Sequence, residues 1–339
     1  MASLRPVNGP PRAVHGALRE WLGARSPEPL VVRTSGSTGA PKDVVLGRDA
    51  MLASAHAALH RLGGPGQWLL ALPAHYVAGL QVLLRSLVAD TDPVVLEEYA
   101  DLDHAVAALT ADRRYVSLVP TQLHRLLDTH TDALGAFDAV LLGGAAADRS
   151  LLDRARAAGV RVVTTYGMSE TCGGCVYDGR PLDGVDVSLD DDGRILIAGP
   201  VLFDGYAGQP GLTARTLVDG VLRTPDVGTF DADGRLVVTG RVDDVVLSGG
   251  VNVGLAAVEQ RVRDHPRVED AAVVAVDDPE WGSRVVAFAV ADGLTLQALR
   301  DFVAERLPRT WAPQELAVVP ALPLLDSGKV DRRALRGGR

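Results

Sequence analysis

Between Trp68 and Gly159, four short apolar runs, WLLALP, PVVLEE, YVSLVP and AVLLGG, alternate with stretches of helical spacing such as DLDHAVAALTAD and DRSLLDRARAAG. A short apolar run bounded by turn signals suits a strand buried on both faces, and helices between such strands return the chain so that the strands lie parallel. The alternation therefore predicts an α/β fold, with helical layers around a largely parallel sheet. Earlier, RDAMLASAHAALHRLGG has apolar residues at helical spacing, with Asp49 placed to cap the first turn and Gly63-Gly64 to stop the helix. Near Val185 the pattern changes: VDVSLDDDGRILIAG and GTFDADGRLVVTG each set Asp-Gly between alternating strands, as hairpins do. Beyond Arg241 a smaller α+β unit follows, with helices at AAVEQRVRDH and LTLQALRDFVAERL, strands at DAAVVAVD, RVVAFAVA and ELAVVP, and an exposed loop and tail at LPLLDSGKVDRRALRGGR. The expected architecture is a large N-terminal domain of layered α/β sheets with a hairpin-rich part, residues 1–240, and a small C-terminal α+β domain, residues 241–339.

A chain of 339 residues, 47% of them hydrophobic, can bury a substantial core. Its formal charge of −9 repels nucleic acid and anionic membranes, so neither is an expected partner. No basic stretch followed by an apolar run opens the chain, and no apolar run reaches the length of a bilayer, which makes the cytoplasm the expected location. Cys172 and Cys175 are too few for a disulfide scaffold and only half of a four-thiolate zinc site. Small side chains in a tight turn explain them more simply than a redox pair or a metal site completed by remote histidines. The carboxylates Asp190 to Asp192 and Asp231 to Asp233 imitate a calcium loop, but turn chemistry accounts for them better. The opening MASLRPVNGPPRAV has the composition of a loosely held terminus.

The stretch RTSGSTGAPKD, Arg33 to Asp43, lies between the β-branched runs Val31-Val32 and Val44-Val45, which predicts a loop between two strands. A Walker A loop has four residues between its first glycine and the Gly-Lys pair, then Ser or Thr, and it opens into a helix; this loop does neither. It still suits polyphosphate. Gly36 and Gly39 let backbone amides approach, Thr34, Ser35, Ser37 and Thr38 offer hydroxyls, and Lys42 supplies charge.

TSGSTGAPK resembles the phosphate loop of the acyl-adenylate-forming superfamily, and four further elements follow in that superfamily's order. YGMSET resembles its Tyr-Gly-x-Thr-Glu element, LRTPDVGTF its Arg-Thr-Gly-Asp element, GRVDDVVLSGGVNV its hinge, and PLLDSGKVDR its C-terminal lysine element. The resemblance implies ATP, Mg2+ and coenzyme A as reactants and cofactor, with Glu170 holding the metal and Lys42 and Lys329 acting on the phosphates. It places Tyr166 and the turn at Gly143, Gly144 and Ala145 at adenine, with Gly167 and Ser169 among the nucleotide-binding residues. Asp226 would accept from the ribose hydroxyls, with Pro225 where the superfamily has glycine, and Arg241 would contact the nucleotide. Asp243 falls at the hinge of a mobile C-terminal domain, and Gly249 and Gly250 in the loop beside the thiol. The implied reaction activates a carboxylic acid as its adenylate and passes the acyl group to a thiol.

For the acid, LPAHYVAGLQVLLRSLVAD is the informative segment, because Arg85 is alone in an apolar helical run. From the residues alone, a snorkelling surface arginine and an anchor for a second carboxylate are equally open. Together with LLGGAAAD and YGMSETCGGCVYDG, the segment resembles the o-succinylbenzoate–CoA ligases of menaquinone biosynthesis, whose substrate is an aromatic dicarboxylic acid. Arg85 matches the arginine that holds the unreactive carboxylate there. That family's histidine falls at Tyr76, and His75 stands one residue earlier, so either could gate the acyl site. With barely 30 residues before the phosphate loop, a homodimer or a more exposed sheet edge is expected. Three alternatives stay open: another aryl or acyl acid, a carrier-protein thiol, and a nucleotide-binding homologue without catalysis. The presence of Lys42, Glu170, Asp226 and Lys329 argues against the last.

Overall fold

The computed structural model describes residues 3–34, 41–147, 149–279, 281–325 and 328–337, with the backbone alone at Asp243. The apolar runs form the middle of a seven-stranded sheet, ordered Arg180–Pro181, Gly173–Tyr177, Val162–Met168, Ala139–Leu142, Arg114–Leu118, Gln67–Leu70 and Val94–Val95. The last five are parallel neighbours, and the first two return antiparallel. Side chains that alternate along each strand enter two different cores. Trp68, Leu70, Tyr115 and Leu141 meet the helices Pro11–Gly23, Arg48–Arg61 and Val77–Val88 on one face. Leu69, Val116, Val140 and Leu142 meet Leu102–Ala107, Pro120–Thr129 and Arg149–Ala157 on the other. Burial on both faces is why these strands read as unbroken apolar runs.

The strands Leu30–Arg33 and Asp43–Leu46 pair antiparallel across the glycine-rich loop, and Gly205–Tyr206 joins as a third strand. Both expected hairpins form, Asp186–Leu189 with Arg194–Ala198 and Val221–Phe230 with Leu236–Arg241. At their turns Asp190 Oδ1 accepts from the amides of Asp192 and Arg194, and Asp231 Oδ1 from those of Asp233 and Arg235. These carboxylates therefore serve the turns.

Beyond Val245, the hairpin Val245–Ser248/Val251–Gly254 precedes a three-stranded sheet. In that sheet Val268–Asp278 runs antiparallel to Gly282–Ala291, which is parallel to Glu315–Val318. Helices Leu255–Arg263 and Leu296–Ala304 share a core with one face of it.

Three local expectations need correction. Asp49 is not the cap of its helix; Gly47 takes the N-cap position and Asp49 lies inside the first turn, where its charge still favours the positive helix end. The opening segment is not loose, because Ser3–Leu4 pairs with Val7–Asn8 and the Pro11–Gly23 helix buries Val14, Leu18 and Trp21. Proline at the start of a helix loses no intrahelical hydrogen bond, so the Pro10-Pro11 pair that suggested a tail begins a helix. The C-terminal tail is likewise packed: the helix Arg332–Gly337 buries Leu335 against Ala272, Val274 and Phe288 on the sheet's second face.

Candidate functional site

The base of the glycine-rich loop is closed by its own first and last polar residues. The Thr34 amide donates to the Lys42 carbonyl at 2.9 Å, and the Lys42 amide donates to Thr34 Oγ1 at 3.0 Å. One step outward, Arg33 makes a two-pronged pair with Asp43, with Nε and Nη2 at 2.8 and 2.9 Å from the two carboxylate oxygens. Asp43 thus belongs to the loop's base. Ser35, Gly36, Ser37, Thr38 and Gly39 lie outside the described residues.

From that base a chain of polar side chains crosses the molecule. Lys42 Nζ stands 5.2 Å from the centre of the Tyr206 ring, and the Tyr206 hydroxyl donates to Glu170 Oε1 at 2.7 Å. Glu170 sits in the short turn Ser169–Thr171 that follows the Val162–Met168 strand. Nearby, Asp226 receives Tyr166 Oη at 2.8 Å on one oxygen and Arg241 Nη1 at 3.2 Å on the other. Burial pushes the Asp226 carboxyl above its usual range, while the Tyr166 hydroxyl, Arg241 and Lys329 act in the opposite direction. Pro225 does not disturb this arrangement. The register of the neighbouring strand jumps between Leu196↔Arg223 and Arg194↔Val227, so Thr224, Pro225 and Asp226 leave that side of the ladder and proline's missing N–H costs no strand bond.

Lys329 reaches the same place from the far end of the chain. Its loop docks by Thr121 Oγ1 donating to the Gly328 carbonyl at 3.5 Å. Gly328 has φ +78°, and a Cβ there would lie 2.9 Å from Val119 Cγ2, so only glycine permits this approach. On the other side, a Cβ added to Gly144 would be 3.8 Å from Lys329 Cε, which sets the lysine beside the turn at Gly143, Gly144 and Ala145. Burial pushes the Lys329 ammonium below the usual lysine range; Arg241 adds to this, and Asp226 and Glu170 oppose it.

Arg85 is buried, at 3% exposure, which overturns the surface reading. Its guanidinium lies 5.1 Å from the Trp68 ring centre, and Nη2 is 3.4 Å from the Tyr177 hydroxyl. Arg85 Nε and Trp68 Nε1 are buried with no hydrogen-bond partner among the described residues. His75 and Tyr76, at the start of the same helix, hold their rings 4.3 Å apart. Cys172 and Cys175 are buried and unbonded to each other, and burial pushes the Cys175 thiol up to about 12. Asp243 falls in the turn Val242–Asp244, with its side chain outside the description, and Gly249-Gly250 form the tip of the Val245–Gly254 hairpin, where the Gly249 amide donates to the Trp281 carbonyl.

A family model described as AMP-binding enzyme matches residues 30–207, and one described as AMP-binding enzyme C-terminal domain matches residues 257–329. The chain belongs to the AMP-binding enzyme family. Among family members, a Mycobacterium tuberculosis protein named probable 2-succinylbenzoate–CoA ligase is 47% identical over 333 residues, covering 94% of this chain and 87% of that one. The o-succinylbenzoate CoA synthetase of Bacillus subtilis, solved with its acyl-adenylate intermediate OSB-AMP, superposes with a TM-score of 0.79 at 29% identity over 91% of this chain and 69% of that one. The same enzyme solved with ATP and magnesium gives 0.77 at 29% over 90% and 69%. An amide bond synthetase, McbA of Marinactinospora thermotolerans, also gives 0.79, at 31% identity over 91% and 68%.

In this AMP-binding enzyme, sequence motifs led to Thr34, Lys42, Tyr166, Glu170, Asp226, Arg241 and Lys329, which the fold gathers. Motif reading missed Tyr206 and Tyr177. Tyr206 pairs with Val44, two residues past Lys42, and this strand pairing is the only signal that could have found it. Nothing in the local sequence marks Tyr177.

Proposed function

We propose that this protein is an AMP-forming acid–thiol ligase that joins 2-succinylbenzoate to coenzyme A through an acyl-adenylate, a step of menaquinone biosynthesis. One observation carries the choice of acid: a guanidinium buried to 3% exposure, with a tyrosine hydroxyl as its hydrogen-bond partner and Nε without one among the described residues. An uncompensated buried charge is costly, and a substrate carboxylate on Arg85 offsets that cost. The names of the relatives point to the same acid.

In the first half-reaction the aliphatic carboxylate attacks the α-phosphorus of ATP and pyrophosphate leaves. Lys329, between Gly144 and Asp226, stabilises the charge that develops on the α-phosphate oxygens, and Lys42 serves the phosphates held by the loop it closes. Asp226 keeps lone pairs for the ribose hydroxyls while Tyr166 and Arg241 hold its orientation. Glu170 suits a magnesium ion, because Tyr206 occupies only Oε1 and the other oxygen receives no hydrogen bond among the described residues. Magnesium bound there neutralises triphosphate charge. In the second half, residues 241–339 rotate about Asp243, Lys329 withdraws, and the Gly249-Gly250 tip comes to the thiol, which displaces AMP. The reading includes a cytoplasmic location; among the described residues no helix is long and apolar enough to cross a membrane.

The test is an assay with ATP, Mg2+, coenzyme A and 2-succinylbenzoate, with the thioester detected by mass. Arg85→Ala should lower kcat/KM for this dicarboxylate by about 100-fold, in line with unpairing a buried charge, and far less for a monocarboxylate. Unchanged turnover of the dicarboxylate by that variant removes the substrate assignment.

A further inference from the structure

The partner of Arg85 is itself incompletely bonded. Tyr177 is buried at the end of the Gly173–Tyr177 strand, and its oxygen stands 3.4 Å from Arg85 Nη2. The hydroxyl proton meets no acceptor among the described residues. Burial also holds this phenol above its usual range, so it stays protonated at neutral pH and does not act as the counter-ion of Arg85. A guanidinium with a spare Nε and a neighbouring hydroxyl with a spare proton together present donors and positive charge with no paired carboxylate among the described residues.

The surroundings connect this pair to the reacting centre. Tyr177 is in register with Thr165, and a Cβ added to Gly174 would lie 3.1 Å from Tyr177 Cε1 and 3.2 Å from Thr165 Cβ. Thr165 Oγ1 donates to the Leu142 carbonyl, just before the turn whose Gly144 flanks Lys329. Arg85, Tyr177, Thr165, the Leu142 carbonyl and the Gly144 turn thus follow one another by local contacts from the buried guanidinium to Lys329. Trp68 lies under the guanidinium and restricts it to one plane.

Resting on the ligase reading above, we infer that Tyr177 is a specificity-determining residue: its hydroxyl donates to the unreactive ring carboxylate that Arg85 neutralises, and the two form one receptor for the second carboxyl group. A monocarboxylic acid leaves both donors unmatched, and that penalty is the basis of discrimination.

Tyr177→Phe deletes the hydroxyl and keeps the ring. The comparison uses 2-succinylbenzoate and 3-benzoylpropionate, which is the same acid without its ring carboxyl. The ratio of their kcat/KM values should fall about ten-fold in the variant, the scale of one hydrogen bond to a charged group, with most of the change in KM for the dicarboxylate. If Tyr177→Phe does not fold, Tyr177→Leu gives the same comparison. A ratio that stays constant, whether both acids fall together or neither does, overturns the assignment while wild-type thioester formation leaves the ligase reading standing. A wild-type protein that forms no thioester from 2-succinylbenzoate ends both.

Discussion

Tyr206 serves two groups that the sequence separates widely. Its ring carries Lys42 Nζ at 5.2 Å, and its hydroxyl holds Glu170 Oε1 at 2.7 Å, while the second oxygen receives no hydrogen bond among the described residues and suits the proposed magnesium ion. Tyr206→Phe keeps the ring and releases the carboxylate. The Mg2+ concentration for half-maximal ATP–pyrophosphate exchange should rise about ten-fold, the scale of a lost charge-assisted hydrogen bond; an unchanged Mg2+ requirement would remove this role. At this scale legibility was uneven for a physical reason. Lys42, Glu170, Asp226 and Lys329 lie in stretches whose composition is itself unusual, with glycines and hydroxyls around the charges. Tyr206 and Tyr177 act through partners 36 and 92 positions away, so no window of sequence contains both members of either pair.

Among the elements, the turn that carries Lys329 shows how backbone conformation positions a side chain. Gly328 sits at φ +78° with no room for a methyl group beside Val119. A left-handed conformation costs other residues roughly 1–3 kcal/mol. Gly328→Ala should therefore slow adenylation by about ten-fold or more, while conversion of supplied acyl-adenylate to thioester, which does not need this docking, is largely retained. Measuring pyrophosphate exchange beside thioester formation from synthetic acyl-adenylate separates the two, and equal losses would contradict the docking role. The Val77–Val88 helix shows the limit of periodicity. It is buried on nearly every side, from Gly79 through Ser86, so its apolar pattern carries no information about which way Arg85 points. The opening helix was misread for the opposite reason: its prolines are turn signals in isolation and helix starters once Leu18 and Trp21 have a core to enter.

For the whole molecule, the cores drawn from residues 7–236 are separate from those drawn from residues 253–335, and Lys329 crosses from the second group to the Glu170–Asp226 site of the first. A nucleotide held by both parts should stabilise both. A non-hydrolysable ATP analogue with Mg2+ at about 100 times its Kd contributes about 2.7 kcal/mol, and calorimetry should show the melting of the smaller unit moving up with the larger. Lys329→Ala should uncouple the smaller unit from the analogue. Independent melting of that unit in the wild type, with and without the analogue, would contradict a shared nucleotide.

What the sequence alone determined was the kind of layers, the order of the motifs and the set of charged groups, because strand and helix periodicity, turn residues and motif spacing are local properties of the chain. Tertiary structure decided which of those groups meet. Strand register set Tyr206 beside Lys42, the return of Gly173–Tyr177 set a hydroxyl over Arg85, and docking of the last turn set Lys329 among Gly144, Asp226 and Glu170. Burial then moved the pKa of Asp226 up and that of Lys329 down, since the free energy of a charge depends on everything packed around it.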